Sequence, residues 1–163
     1  MRIVFFGSPA TALPSLAKLL KGGQWVELVV CQPDKPSGRG KKLKPCPVKS
    51  FAVAKGLACY EPERIRKDPA ALAKIRVVDP DIIVVVAYGQ MIPASIIDLP
   101  KHKSINVHFS LLPKYRGASP VQWAVLNGEE KTGVTIFRLN EKMDEGDILA
   151  SEAVPILPRE NAL

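Results

Sequence analysis

The apolar run Ile82–Ala87 limits the possible folds of this chain more than any other stretch of its sequence. Its residues are Ile-Ile-Val-Val-Val-Ala, so a strand formed here would be hydrophobic on both faces. Strands of that kind lie in the interior of parallel sheets, where helices cover both sides. The run therefore predicts an α/β fold with a mostly parallel, twisted sheet and helices on both faces.

The segments before this run alternate between strand and helix patterns, as a parallel sheet requires. Arg2–Phe6 is a short apolar strand, and apolar residues from Leu13 to Leu20 follow with helical spacing. Val26–Cys31 supplies a second strand, so this order predicts a Rossmann-like sheet. Ligands of such sheets bind beyond the carboxyl ends of the strands. We expect four turns to meet at that edge, those after Phe6, Cys31, Ala87 and His108.

Beyond residue 100 the pattern changes to strands with polar ends and fewer helices. Ser104–His108 predicts a further strand, and Ser119–Leu126 predicts a helix with Ser119 as its N-cap and a proline at its first position. Gly133–Leu139 and Ile148–Val154 have strand composition and are joined by a polar segment. We therefore expect the sheet to end in a strand–loop–strand arm.

Length and composition exclude several classes of protein. A chain of 163 residues fits one domain, residues 1–163, and its apolar runs are far shorter than the roughly 20 residues of a membrane helix. The N-terminal segment lacks the features of a signal peptide, so a cytoplasmic protein is expected. No metal site is expected, because the two histidines, His102 and His108, have no neighbouring ligand spacing. Reduced thiols are expected for three cysteines without a CxxC pair, Cys31, Cys46 and Cys59.

The end of the Ser104–His108 strand carries polar side chains that a buried strand does not normally tolerate. Asn106, His108 and Ser110 are two residues apart, so they would share one face, and Asp144 lies in a later loop that would fold back. Acyl transfer to an amine requires an amide and an imidazole to stabilise an oxyanion. It also requires a carboxylate to orient the imidazole and help remove the amine proton. A hydrogen-bonded structural layer at the strand end is the alternative.

The basic tract, residues 35–49, carries six cations and no acidic side chain. Together with the net charge of +7, it favours a polyanionic partner such as nucleic acid. Its glycines and prolines predict an irregular loop whose lysine and arginine side chains contact phosphates. A solvated loop without a partner is the alternative. The six cations are Lys35, Arg39, Lys41, Lys42, Lys44 and Lys49.

Four motifs, in their order along the chain, resemble those of the methionyl-tRNA formyltransferase family, part of a wider group of folate-dependent formyltransferases. They are Asn106–His108, Ser110–Gly117, Thr132–Thr135 and Met143–Asp147. The resemblance runs along the whole chain and implies the formyltransferase fold. It also implies that residues 1–163 are an incomplete catalytic domain, since the family has a further helix and a C-terminal barrel domain that grips tRNA. Phe109 departs from the family, which usually has a small residue there.

The resemblance implies a role for each group of candidate site residues. The implied catalytic set is Asn106, His108 and Asp144. Folate contacts are implied for Tyr88, Gly89, Ser110, Leu111, Leu112 and Pro113. Contacts with the acceptor arm of initiator tRNA, centred on the arginine, are implied for Lys35, Arg39, Lys41, Lys42 and Lys44.

By this resemblance, the expected activity is transfer of the formyl group of 10-formyltetrahydrofolate, a co-substrate, to the amino group of methionine on initiator tRNA, in support of translation initiation. The expected partners are initiator methionyl-tRNA and folate, without a membrane and without an obligate protein partner. Two alternatives stay open. One is a formyltransferase or formyltetrahydrofolate hydrolase that acts on a small molecule, and the other is a non-enzymatic RNA-binding module.

Overall fold

The computed structural model describes residues 1–37 and 40–162. It divides into two compact units, Met1–Ser104 and Ile105–Leu163. Each unit contains strands that pair with one another. Within the described residues, no helix is both long enough and apolar enough to cross a membrane.

The first unit contains a sheet of parallel strands. Across the sheet, the strands are β5 (Cys59–Tyr60), β2 (Trp25–Val30), β1 (Arg2–Gly7) and β6 (Ile82–Val86). Phe5 of β1 is opposite Val29 on one side and opposite Val84 on the other. The parallel arrangement predicted from the Ile82–Ala87 run is confirmed.

Helices lie between and after these strands along the chain, and local sequence explains why one helix begins at Pro69. The helices are α1 (Leu13–Lys21), α2 (Pro47–Ala54), α3 (Pro69–Val78) and α4 (Ala94–Ile97), with 3-10 turns at Ala10–Ala12 and Ile65–Lys67. The Asp68 side chain accepts hydrogen bonds from the backbone N–H groups of Ala70 and Ala71, at 3.0 and 3.1 Å. Aspartate is a favoured N-cap, and Pro69 fits the first helical position because an N–H there has no partner within the helix.

The strands β1 and β6 lie within the interior of the first unit. Phe5, Phe6, Ile83 and Val86 are completely buried. Alternate side chains of a strand point to opposite faces, so burial of both Val86 and its neighbour Val85 means that neither face of β6 is open to water.

The basic tract contains a short antiparallel hairpin. Lys35–Ser37 forms β3 and Lys42–Lys44 forms β4, and these two strands pair with each other; we call them the basic hairpin. The predicted irregular loop is wrong for these segments, because Gly40 and the left-handed backbone of Lys41 (φ 47°) allow a tight turn before β4. Arg39, the predicted centre of the tRNA contacts, lies outside the described residues.

The strands of the second unit are antiparallel. They pair in the order β7 (Ser104–His108), β8 (Lys131–Arg138) and β9 (Ile148–Pro155), and helix α5 is Pro120–Leu126. Ser119 precedes α5, but its backbone is left-handed (φ 61°) and its side chain forms no capping hydrogen bond. The predicted serine cap is therefore wrong. Pro120 begins the helix instead, because its ring fixes φ near the helical value.

Burial of both faces of β6 predicts that truncating either face destabilises the protein. Val85 and Val86 are 6% and 0% exposed, whereas Val77 on α3 is 87% exposed. We expect Val85→Ala and Val86→Ala each to lower the free energy of unfolding by roughly 1.5 to 3 kcal/mol, through lost burial and the cavity left behind. Val77→Ala, the matched control, should change it by less than about 0.5 kcal/mol. Urea denaturation measures the free energy of unfolding of all three variants. An unchanged value for Val85→Ala or Val86→Ala would contradict burial of the face on which that residue lies.

Candidate active site

β7 carries two of the predicted catalytic side chains. Asn106 and His108 are two residues apart in this strand, so they lie on the same face. His108 is 6% exposed and Asn106 is half-buried. Asp144, the third predicted member, belongs to the same unit.

The imidazole of His108 contacts a backbone carbonyl on one side and faces a carboxylate on the other. Its Nε2 lies 2.8 Å from the carbonyl oxygen of Tyr115. Because a carbonyl oxygen only accepts hydrogen bonds, Nε2 carries the hydrogen of this bond. Nδ1 lies 3.6 Å from Oδ2 of Asp144, slightly beyond hydrogen-bond distance. A ring protonated on both nitrogens would therefore direct one N–H at Tyr115 and the other at Asp144.

Backbone and side-chain contacts hold Asp144 in place. Its Oδ2 accepts a hydrogen bond from the backbone N–H of Gly117 at 2.7 Å. Its backbone is left-handed (φ 50°), a conformation that aspartate adopts more readily than most residues. Arg116 donates from Nη1 to Oε1 of Glu145 at 3.2 Å, a second link between the same two loops. The loop between β8 and β9 thus folds back toward His108.

Thr135 fixes the loop that follows β7. Its Oγ1 donates to the carbonyl oxygen of Ser110 at 2.7 Å and accepts from the backbone N–H of Leu112 at 3.1 Å. The Ser110 hydroxyl donates to the carbonyl oxygen of Lys114 at 2.6 Å, so it closes the turn itself. Sequence reasoning placed Thr135 in the Thr132–Thr135 motif but assigned it no role. The signal for a role was a polar residue between two apolar ones, Val134 and Ile136.

Glu129 organises a second polar cluster next to this loop. Tyr115 donates from Oη to Oε1 of Glu129 at 2.7 Å, and Lys114 donates from Nζ to the same oxygen at 2.9 Å. These hydrogen bonds, that of Tyr115 above all, lower the pKa of Glu129. With Leu111 and Thr132, these side chains line a cavity of about 210 Å³. No motif in the sequence singles Glu129 out.

In the first unit, three of the four predicted turns meet at the carboxyl edge of the sheet. Ser8 donates from Oγ to the carbonyl oxygen of Tyr88 at 3.2 Å and accepts from the backbone N–H of Gln32 at 3.1 Å. Gln32 also donates from Nε2 to the Tyr88 carbonyl at 2.9 Å. The turns after β1, β2 and β6 therefore adjoin, which confirms that part of the prediction. The fourth turn, after His108, belongs to the second unit.

A cavity of about 520 Å³ opens at this edge of the first unit, and Tyr88 and Gly89 are among its lining residues. Gly89 has a left-handed backbone (φ 83°), and a side chain there would run into the Gln32 amide. The left-handed backbone is what favours glycine at this position. The Tyr88 ring packs edge-on against Phe6, with ring centroids 5.1 Å apart, and its burial raises the pKa of the phenol. The ring of Tyr88 thus belongs to the core.

The lysines predicted to contact tRNA differ in their surroundings. Lys35 donates from Nζ to Oε1 of Gln32, and Lys35 and Lys44 both line the 520 Å³ cavity. Lys41 and Lys42 are exposed. Among the described residues, no carboxylate lies within ion-pair distance of Lys41, Lys42 or Lys44. Their charges are therefore open to an anionic partner.

The three cysteines all lie in the first unit as free thiols. Burial of Cys31, together with the neighbouring Cys46, raises the pKa of the Cys31 thiol, which makes it a poor nucleophile. Within residues 1–37 and 40–162, no group of three or more histidine, cysteine, aspartate or glutamate side chains is arranged to hold a metal ion.

Comparison with known proteins bears on both units, because a family model described as formyl transferase matches residues 1–162. The chain belongs to the formyl transferase family. A methionyl-tRNA formyltransferase of Synechococcus sp. (strain JA-3-3Ab) is 50% identical, over 100% of this chain and 51% of the relative. A methionyl-tRNA formyltransferase of Geobacter sulfurreducens is 48% identical, over 99% of this chain and 51% of the relative. The chain spans about half the length of the curated relatives it matches.

A solved structure shows the fold that this member of the formyl transferase family adopts. The crystal structure of phosphoribosylglycinamide formyltransferase from Bacillus halodurans matches with a TM-score of 0.81. The match covers 99% of this chain and 84% of that chain, at 22% sequence identity. The likeness concerns the fold, and it confirms the predicted α/β formyltransferase fold.

The role of Thr135 in shaping the loop is open to a matched test within β8. Thr135→Val removes one donor and one acceptor at nearly constant shape and leaves the Ser110 carbonyl and the Leu112 N–H unpaired. We expect the free energy of unfolding to fall by about 1 to 3 kcal/mol. The control is Thr132→Val, because Oγ1 of Thr132 is buried and has no hydrogen-bond partner among the described residues. It should be neutral or stabilising, and equal losses in the two variants by thermal unfolding would contradict the assigned hydrogen bonds.

Proposed function

We propose that the protein to which this chain belongs transfers the formyl group of 10-formyltetrahydrofolate to the amino group of methionine on initiator tRNA. It would thereby support translation initiation in the cytoplasm. The observation that carries the chemistry is the pairing of a buried imidazole with a carboxylate, His108 Nδ1 with Asp144 Oδ2 at 3.6 Å. The acceptor is inferred from the two relatives described as methionyl-tRNA formyltransferases, at 50% and 48% identity.

The second unit supplies the groups that this reaction requires. When the methionine amine attacks the formyl carbon, a C–N bond forms and the carbonyl π electrons move onto oxygen. Asn106 would donate a hydrogen bond to that oxyanion, and a protonated His108 would donate another from Nδ1, because its Nε2–H is held by the Tyr115 carbonyl. Asp144 would keep the imidazole oriented and accept the amine proton. As the bond to the folate nitrogen breaks, His108 would protonate that leaving nitrogen and recover a proton from Asp144.

We propose the folate contacts for each unit separately. In the first unit, Gly89 lines the 520 Å³ cavity, and the proposed folate contact there is with its backbone. In the second unit, the loop Ser110–Pro113 presents apolar side chains, and the hydrogen bond from Leu112 to Thr135 fixes its path. The Ser110 hydroxyl is already bonded to Lys114, so Ser110 shapes this loop.

The basic hairpin would supply the contacts with tRNA phosphates. Lys41, Lys42 and Lys44 are exposed and, among the described residues, have no ion-pair partner, so they suit contacts with the phosphate backbone, which need charge and reach but no fixed base geometry. Such contacts release counterions, so they make binding depend steeply on salt.

Replacement of the catalytic pair should abolish most of the activity of the complete protein. We expect His108→Ala to lower turnover by roughly a hundredfold or more, since it removes an acid–base and oxyanion-stabilising group. Asp144→Asn should cause a loss of similar size, because the amide matches the carboxylate in shape and accepts the left-handed backbone but carries no charge. Steady-state kinetics with 10-formyltetrahydrofolate and charged initiator tRNA measure both.

His102→Ala is the matched control for these variants, because His102 is exposed and belongs to the first unit. Its turnover should equal that of the wild type. Thermal unfolding separates chemistry from folding. A marked fall in the melting temperature of Asp144→Asn would make Asp144 a structural residue, and a His108→Ala variant that keeps most of its turnover would refute the assignment.

The proposed tRNA contacts predict a change in salt dependence. Replacement of Arg39, Lys41 and Lys42 by alanine in the complete protein should weaken tRNA binding. It should flatten the plot of log K against log salt concentration by up to about one unit for each lost contact. Folate affinity, the internal control, should not change. Equal tRNA affinities and slopes in the two proteins would exclude this segment from the interface and favour a small-molecule acceptor.

A further inference from the structure

Lys49 differs from the exposed lysines of the basic hairpin in what its ammonium group contacts. Its Nζ lies 2.6 Å from Oδ1 of Asp34 and 2.8 Å from Oε2 of Glu61. The three side chains are half-buried, with Lys49 22% exposed. Sequence alone groups Lys49 with the other five cations of the basic tract, because both of its partners lie outside that tract.

The two carboxylates change what Lys49 offers to an anion. Two negative charges surround one positive charge, so the cluster carries a net charge of −1 and does not attract phosphate. Two of the three N–H groups of the ammonium are already donated. The hydrogen bond to Asp34, and after it the one to Glu61, raises the pKa of Lys49, so the ammonium group stays protonated between the two carboxylates.

The position of the cluster explains what these contacts hold together. Asp34 directly precedes β3, Lys49 lies in the first turn of α2 shortly after β4, and Glu61 directly follows β5. One ammonium therefore joins the chain entering the basic hairpin, the helix that follows the hairpin and the edge of the parallel sheet.

Hydrogen bonds also fix the backbone at and next to Lys49, so its side chain extends from a defined position. Cys46, the N-cap of α2, accepts a hydrogen bond from the Lys49 N–H at 3.4 Å through its sulfur. The neighbouring Val48 N–H donates to the carbonyl oxygen of Ser8 at 3.2 Å, which ties the start of α2 to the turn after β1.

We propose that Lys49 is a positioning residue that clamps the base of the basic hairpin to the sheet and makes no contact with the polyanion. The readout with tRNA rests on the proposed function, whereas the order of the hairpin is measurable without it. In this proposal Lys49 positions the basic hairpin, and the exposed lysines of the hairpin bind the polyanion.

The test compares Lys49→Met with Lys44→Met, a matched change at an exposed hairpin lysine, in the complete protein. Loss of the clamp should speed amide hydrogen exchange in Lys42–Lys44 by about three- to tenfold, as expected for the loss of two partly screened ion pairs. Lys49→Met should weaken tRNA binding without changing the salt slope. Lys44→Met should flatten the slope by up to about one unit.

Asp34→Asn provides an independent variant if Lys49→Met fails to fold. Removal of a negative charge near a phosphate site would strengthen tRNA binding if simple electrostatics governed it. The clamp predicts the opposite, faster exchange in β4 and weaker binding. Lys49→Arg should restore slow exchange, because the guanidinium group also reaches two carboxylates.

Two results would overturn the proposal. One is an unchanged exchange rate in both Lys49→Met and Asp34→Asn, and the other is a flattened salt slope in Lys49→Met equal to that of Lys44→Met. If the wild-type protein does not bind tRNA, the proposed function fails, and the exchange rates alone still decide whether Lys49 holds the hairpin.

Discussion

Burial of both faces of the central strands determines where the first unit can place polar chemistry. β1 and β6 have no face that tolerates unpaired polar side chains, so such groups are confined to the strand ends. At the carboxyl edge, Ser8, Gln32 and the Tyr88 carbonyl bond to one another and tie three turns together. The interior provides stability, and the edge retains a cavity of about 520 Å³.

The second unit also fixes its polar groups at strand ends and in loops, but its strands are antiparallel and backbone groups hold the side chains. His108 bonds to the Tyr115 carbonyl and Asp144 to the Gly117 N–H, so loop backbone orients both members of the pair. Tyr115 and Asp144 both have left-handed backbones, at φ 56° and 50°, so this arrangement costs some conformational strain. Groups fixed in this way need little reorganisation when charge develops in a transition state.

Features set by local pattern and by the general rules of a parallel sheet were predictable, whereas particular contacts between distant segments were not. A strand as apolar as Ile82–Ala87 is stable only where both of its faces are buried, so the strand and the parallel sheet followed from sequence. The placement of Asn106 and His108 followed from strand alternation. The Tyr115 carbonyl is invisible to any pattern of side-chain types, and the hydrogen bonds of Thr135 join segments 23 and 25 residues away. Lys49 looked like a phosphate-binding lysine because Asp34 and Glu61 meet it only in the folded chain.

The most direct test of formyl transfer follows the formyl carbon itself. The complete protein would be incubated with 10-formyltetrahydrofolate labelled in the formyl group, with and without initiator tRNA charged with methionine. We predict that the label appears on the methionine amino group and that its transfer requires the charged tRNA. Release of the label as formate regardless of tRNA would show a hydrolase, and tRNA binding without any movement of the label would show an RNA-binding module. Either result would contradict the proposed activity.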